Sequence, residues 1–169
     1  MFGSSKPSRL RSALALFGFA GLTAAAAALG GRATIKGKGT WYRELKKPSY
    51  NPPDWVFAPV WLALYSMMTV SVWRVYRKPP SALRSVALGL WMGQLGLNTA
   101  WSVLFFGEHK KGAALVDLGL LTTAIGGYIG VARKVDPPAA MLMLPYLAWC
   151  GFAGVLNEEI VRNNPITAA

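Results

Sequence analysis

Three stripes of amide and aromatic side chains hold most of the chemistry in this sequence. Gln94, Asn98, Trp101 and Phe105 fall at i, i+4, i+7 and i+11, so they share one face of a helix. Amides inside an apolar stretch must find partners in the protein, because lipid offers none. Such a face can tie helices together by hydrogen bonds or line a pocket, and the spacing allows both. Trp61 and Tyr65 lie four apart, just after Pro59. Tyr146, Trp149, Ala153 and Asn157 trace a third stripe after Pro145, a residue that cannot donate a backbone hydrogen bond. Flat aromatics beside a small alanine can wall a flat cavity, and they can also simply pack together.

Other chemistries are poorly served. The chain has one histidine, His109, and one cysteine, Cys150, so a metal site built on several histidines is excluded and no internal disulfide can form. No phosphate loop, nucleophile elbow or metal-ligand spacing is present, and no catalytic residue is assigned. Asp117 is the one acid well inside an apolar stretch. It can serve function or simply bond a neighbouring helix.

The elements that must position these residues are membrane helices. Hydrophobic residues make up 53% of the 169 and charged residues 15%, against about 25% charged in a soluble domain. Mean hydropathy is +0.33. A crossing needs roughly 20 mostly apolar residues. Five stretches qualify, at roughly 11–31, 54–76, 83–107, 111–133 and 137–161. The expectation is an all-α integral membrane protein, a single five-transmembrane-helix bundle over 1–169. The first stretch follows Arg9 and Arg11 and could be a signal peptide, but its length favours a retained helix. The net charge of +11 is excluded from the apolar runs. It therefore suits lipid headgroups rather than nucleic acid. Lys and Arg divide nine and nine between the two sides, so the positive-inside rule assigns no orientation.

A long loop, Arg32–Asp54, joins the first two helices, with Trp41-Tyr42 and Asn51-Pro52-Pro53 near its end. Its aromatics predict either a lid or an interfacial anchor. Gly89, Gly93 and Gly96 form a small-residue step, as do Gly126 and Gly130. Such steps let helices approach closely, within one chain or between two.

Taken in order, these segments resemble the translocator protein family, also known as tryptophan-rich sensory proteins or peripheral-type benzodiazepine receptors. The resemblance rests on Trp41-Tyr42, Lys47-Pro48-Ser49, Asn51-Pro52-Pro53-Asp54-Trp55-Val56 and Pro59-Val60-Trp61. It continues through Gly93-Gln94-Leu95, Leu97-Asn98-Thr99-Ala100-Trp101, Phe105-Phe106-Gly107, Ala114-Leu115-Val116-Asp117-Leu118, Pro145-Tyr146-Leu147-Ala148-Trp149 and Val155-Leu156-Asn157. It covers roughly residues 41 to 163.

The resemblance implies a cavity within five helices, closed by the first loop, in a chain that is often a homodimer. It implies porphyrins and haem-type tetrapyrroles as ligands, with no cofactor required, and sterols in animal members. Trp61, Tyr65, Asn98, Trp101, Trp149, Ala153 and Leu156 match pocket positions. Trp41 and Pro52 match the loop lid, and Gly89, Gly93 and Gly96 the dimer face. Trp61 and Trp149 also match tryptophans tied to light- and oxygen-dependent porphyrin breakdown. Two departures stand out. The animal sterol-recognition sequence has a tyrosine where this chain has Glu158, followed by Glu159, although Val155 and Arg162 remain. Ala113 stands where animal members carry tryptophan. Sterol transport is therefore a lesser alternative. A bacterial membrane is favoured over a mitochondrial outer membrane. Binding to membrane lipid and to a hydrophobic small molecule is expected, as a receptor or translocator rather than an enzyme.

Overall fold

The computed structural model describes residues 8–165. All regular structure among them is helical: α1 Arg9–Gly37, α2 Gly39–Glu44, α3 Asp54–Tyr76, α4 Ala82–Ser102, α5 Lys111–Val135, α6 Pro137–Met141 and α7 Leu144–Asn163. Local chemistry sets several ends. The Ser8 hydroxyl accepts from the Arg11 amide at 3.4 Å, and that of Ser81 from the Arg84 amide at 3.2 Å, capping α1 and α4. Pro52 and Pro53 hold the backbone extended before α3. Pro137 and Pro145 occupy first-turn positions of α6 and α7, where a missing N–H costs nothing.

Four helices are long and apolar enough to cross a membrane: Arg9–Gly37, Asp54–Tyr76, Lys111–Val135 and the nearly continuous Pro137–Asn163. The expected crossing at 83–107 is helical, but α4 is not one of these four. Its buried Gln94 and Asn98 make it more polar. It also ends in a π-helical turn, Val103–Gly107, where the Glu108 amide reaches back five residues to the Val103 carbonyl at 2.8 Å. His109 follows at a positive φ of 57°, a conformation histidine tolerates better than branched residues.

The loop expected over Arg32–Asp54 is shorter than predicted. Helix α1 continues to Gly37, and α2 takes up Gly39–Glu44, so the irregular segment is 45–53. The Gly and Lys residues after Arg32 read as linker, yet Thr34 bonds back to the Gly30 carbonyl at 2.9 Å and the helix runs on.

Neighbour relations run α1–α3–α7–α5–α4 and back to α1, with α4 and α5 packed most extensively and α3 and α7 least. The core lies between α3, α4, α5 and the start of α7. Met68, Val72, Val75, Ala87, Trp91, Ile125, Tyr128, Met143 and Tyr146 are all sealed from the exterior. Trp91 donates its indole N–H to the Met68 carbonyl at 3.2 Å. The Ser71 hydroxyl bonds both Tyr128 Oη and the Ala139 carbonyl at 2.7 Å, joining α3, α5 and α6. Outside the bundle the polarity is inverted relative to a soluble protein. Leu14, Phe17, Leu62 and Val116 are each more than half exposed. In water each would forgo about 1.5–3 kcal/mol of burial; in lipid they are at home.

Candidate functional site

A gap in the bundle lies at the thinly packed seam of α3 and α7. Between the first halves of α3 and α7 the aromatic stripes bridge the space without filling it. Trp61 stacks on Tyr65 with centroids 5.2 Å apart and meets Tyr146 edge-on at 6.2 Å. Phe57 meets Trp149 edge-on at 5.9 Å. The result is a cavity of about 320 Å³, within the range of small-molecule sites. Trp61 and Tyr65 wall it from α3, Trp101 from the end of α4, Phe106 from the π turn, and Trp149, Ala153 and Leu156 from α7. A smaller chamber of about 50 Å³ adjoins it, with Asn51 and Asn157 on its wall.

Six of the seven residues predicted to form the pocket are on the cavity wall: Trp61, Tyr65, Trp101, Trp149, Ala153 and Leu156. Asn98 is behind it. Its side chain is buried, its Oδ1 accepts from Tyr65 Oη at 2.9 Å, and its Nδ2 donates to Tyr146 Oη at 3.1 Å. Asn98 thus ties the wall ring of Tyr65 to the buried ring of Tyr146 behind it. Asn157 plays the same part for Trp101, accepting the indole N–H at 3.2 Å and donating to the Lys111 carbonyl at 3.0 Å. Gln94 lies deeper, with a weak contact from Nε2 to Met68 Sδ at 3.8 Å. Asp117 is buried on α5 and does not reach the cavity wall.

The rim is built by α1, α2 and the 45–53 segment. Trp41 does not line the cavity. It stacks flat on His109 at 4.0 Å and edge-on to Phe105 at 5.7 Å, so it anchors α2 to the π turn. Its neighbour Tyr42 closes the cavity wall instead. Burial, with Asp54 nearby, holds the Tyr42 phenol above its ordinary value of 10.0, so it is a neutral group at neutral pH. Lys47 lies over its ring at 4.1 Å. Pro52 is half-buried and accepts at its carbonyl from Asn51 Nδ2 at 3.0 Å. The segment is fastened to the end of α7: Asn164 accepts from the Lys46 amide at 2.9 Å and donates to the Lys46 carbonyl at 3.1 Å. Tyr50 bonds Glu159 there as well. Lys38 stands at the cavity mouth, paired with Asp54 at 2.8 Å.

Helix α1 supplies a whole wall that sequence reasoning overlooked. Ala27, Gly31 and Thr34 line the cavity from α1, and Lys38 just past its end keeps the same spacing, at i, i+4, i+7 and i+11. That spacing was a readable signal, but small side chains in an Ala/Gly run look like plain packing. Close approach is required nearby. A Cβ on Gly30 would sit 3.0 Å from Ser102 Oγ, and one on Gly37 would collide with the Phe106 carbonyl. Gly89, Gly93 and Gly96 are exposed, and a Cβ there would meet nothing within 4 Å among the described residues. No cluster of three metal-ligating side chains occurs among the described residues.

Comparison with known proteins agrees with this architecture. Residues 19–162 match the TspO/MBR family. The translocator protein of Bos taurus is 44% identical over 129 residues, covering 75% of this chain and 76% of that one. The tryptophan-rich protein TspO of Chlorobaculum tepidum is 39% identical over 149 residues, covering 86% and 92%. Protein CrtK of Rhodobacter capsulatus is 34% identical over 148 residues, covering 87% and 92%. With its apolar helices, its lipid-suited exterior and matches that span most of its length, this integral membrane protein belongs to the TspO/MBR family.

Proposed function

We propose that this chain is a receptor or translocator for flat hydrophobic ligands, porphyrins and related tetrapyrroles first, within one bundle that crosses the membrane five times with α4 as the additional crossing. The observation that carries this reading is the cavity itself: three indoles, Trp61, Trp101 and Trp149, face one space of about 320 Å³ with a single ammonium, Lys38, at its mouth. Aromatic walls favour a flat conjugated ring. Lys38 is paired with Asp54, so a ligand with a carboxylate at its edge would exchange with Asp54 there. The names of the relatives, translocator and tryptophan-rich sensory protein, support a translocating or sensing role. Two copies would meet through Gly89, Gly93 and Gly96, and a bacterial membrane is the favoured location. Protoporphyrin added to the detergent-solubilised chain quenches tryptophan fluorescence on this reading, and Trp149→Phe weakens or alters that quenching. Unchanged quenching in the Trp61→Phe/Trp149→Phe double variant would sink the proposed site.

A second reading, light- and oxygen-dependent porphyrin breakdown, draws support from one observation. Trp61 is stacked on Tyr65, which bonds through Asn98 to Tyr146, a row of oxidisable rings running from the cavity wall into the core. Illuminating the porphyrin complex in air separates the two readings. A porphyrin spectrum that stays intact supports binding alone; loss that needs both light and the tryptophans supports breakdown.

A further inference from the structure

The end of the bundle away from the cavity has the more one-sided charge. It gathers the start of α1, the turn between α3 and α4, and the turn between α5 and α6. Eight basic side chains of the described residues lie there against a single acid, Asp136. That acid is already taken, by Arg74 at 2.7 Å and Lys78 at 2.9 Å. Arg77, Arg84, Arg133 and Lys134 form no ion pair among the described residues. Like charges crowded at one end repel, and anions from outside relieve that repulsion.

Two of these cations are held in place before any anion arrives. The Arg77 guanidinium lies over the Trp73 ring at 4.6 Å, and that of Arg84 over the Tyr76 ring at 4.9 Å. The rings are themselves fixed. Trp73 donates to the Ser12 carbonyl at 2.9 Å, and Tyr76 meets Phe19 edge-on at 5.8 Å. A guanidinium held on a ring has less freedom left to lose on binding. Arg84 Nε is buried, so an anion from outside would meet this side chain at its two terminal nitrogens. Phosphate oxygens are the acceptors that a guanidinium fork meets two at a time. Trp73 and Tyr76 end the apolar run of α3, so both arginines stand at the level of lipid phosphates.

We propose that this end is a binding site for anionic phospholipid headgroups, gripped at the phosphate by Arg77 and Arg84. The surrounding unpaired cations select an anionic headgroup over a zwitterionic one. The site is independent of whatever occupies the cavity.

The test uses the full chain in detergent, titrated with phosphatidylglycerol, phosphatidylcholine or inorganic phosphate. Retained lipid is read by native mass spectrometry and stability by thermal melting. The wild type is expected to retain phosphatidylglycerol over phosphatidylcholine and to melt higher in its presence. Arg77→Gln and Arg84→Gln should each weaken that retention by about fivefold, with porphyrin quenching unchanged. Arg133→Gln should weaken it less. Equal retention of the two lipids by the wild type would overturn the proposal, whatever the variants do. So would equal stabilisation by inorganic phosphate, which marks a phosphate site rather than a lipid site. Wild-type retention in a well-folded Arg77→Gln/Arg84→Gln variant would overturn the assignment to these two arginines.

Discussion

Asn98→Leu separates two roles that the sequence left open, ligand contact and support. In the structure the amide sits behind the cavity wall and bridges Tyr65 Oη at 2.9 Å and Tyr146 Oη at 3.1 Å. Leucine keeps the bulk and removes both bonds. A side-chain hydrogen bond within a membrane bundle averages about 0.6 kcal/mol and reaches about 1.7. A hydroxyl left buried without a partner costs about 1–3 kcal/mol. Tyr146 is fully buried and Tyr65 only partly, so the full penalty falls on one hydroxyl. The loss then comes to about 2 kcal/mol, or about 4–8 °C in melting temperature for a chain of this size. Tyr65→Phe removes one of the two bonds and should cost about half as much. Porphyrin affinity in Asn98→Leu should fall only about threefold, through loosening of the Trp61–Tyr65 stack. The assay is thermal melting in detergent beside a porphyrin quenching titration. A wild-type melting temperature with a tenfold or greater loss of affinity would refute the support role and put Asn98 in contact with the ligand.

Four further outcomes are expected. Ala153→Phe projects a ring into the cavity between α3 and α7, and should lower porphyrin affinity by at least about tenfold in the quenching titration while leaving the helix content by circular dichroism unchanged. Asn164→Ala frees the Lys46 amide and carbonyl, so proteolysis within 45–53 should speed up several-fold, roughly as loss of about 1 kcal/mol in local closure dictates. Burial pushes the Asp136 carboxyl up, but Lys78 and Arg74 bring it below its ordinary value of 3.8. Its contribution is whole above that value and is lost as pH falls through the lowered one. The destabilisation by Asp136→Asn, roughly 1–2 kcal/mol at neutral pH with both partners partly exposed, should therefore shrink in melts taken below about pH 4. Gly37→Ala sets a Cβ against the Phe106 carbonyl and should lower the melting temperature by the equivalent of about 1–3 kcal/mol, more than Gly39→Ala, where a Cβ meets open space.

Apolar length and helical spacing made the bundle legible, because in lipid the backbone must be helical and polar side chains must turn inward. The stripes through Trp61, Trp101 and Trp149 were visible for that reason, and the cavity lies where they face one another. Asn98 shared a face with Trp101, but a shared face does not say how far a side chain reaches. Its two phenol partners come from α3 and α7, which only the fold brings together. Trp41 and Tyr42 posed the same difficulty in a loop. Adjacent residues point apart, and the stack on His109 that turns Trp41 away is formed across 68 residues of chain. The wall on α1 was hidden because its residues contribute by being small. The helical extension to Gly37 was hidden because glycine and lysine spelled linker, while contact with the π turn stabilises helix there.

The pairing of Lys46 with Asn164 also has a consequence in time. The two residues are 118 apart in sequence, so the contact encloses α3, α4, α5, α6 and α7. A ribosome delivers Lys46 long before Asn164. Until α7 has been inserted, the segment that covers the cavity has neither its amide clasp nor Glu159 to hold Tyr50. The wall residues Trp149, Ala153 and Leu156 arrive on that same last helix. During biogenesis the binding space is therefore completed and covered in a single late step. A chain that stalls or is truncated before α7 exposes its first aromatic wall, from α3, with nothing to close over it.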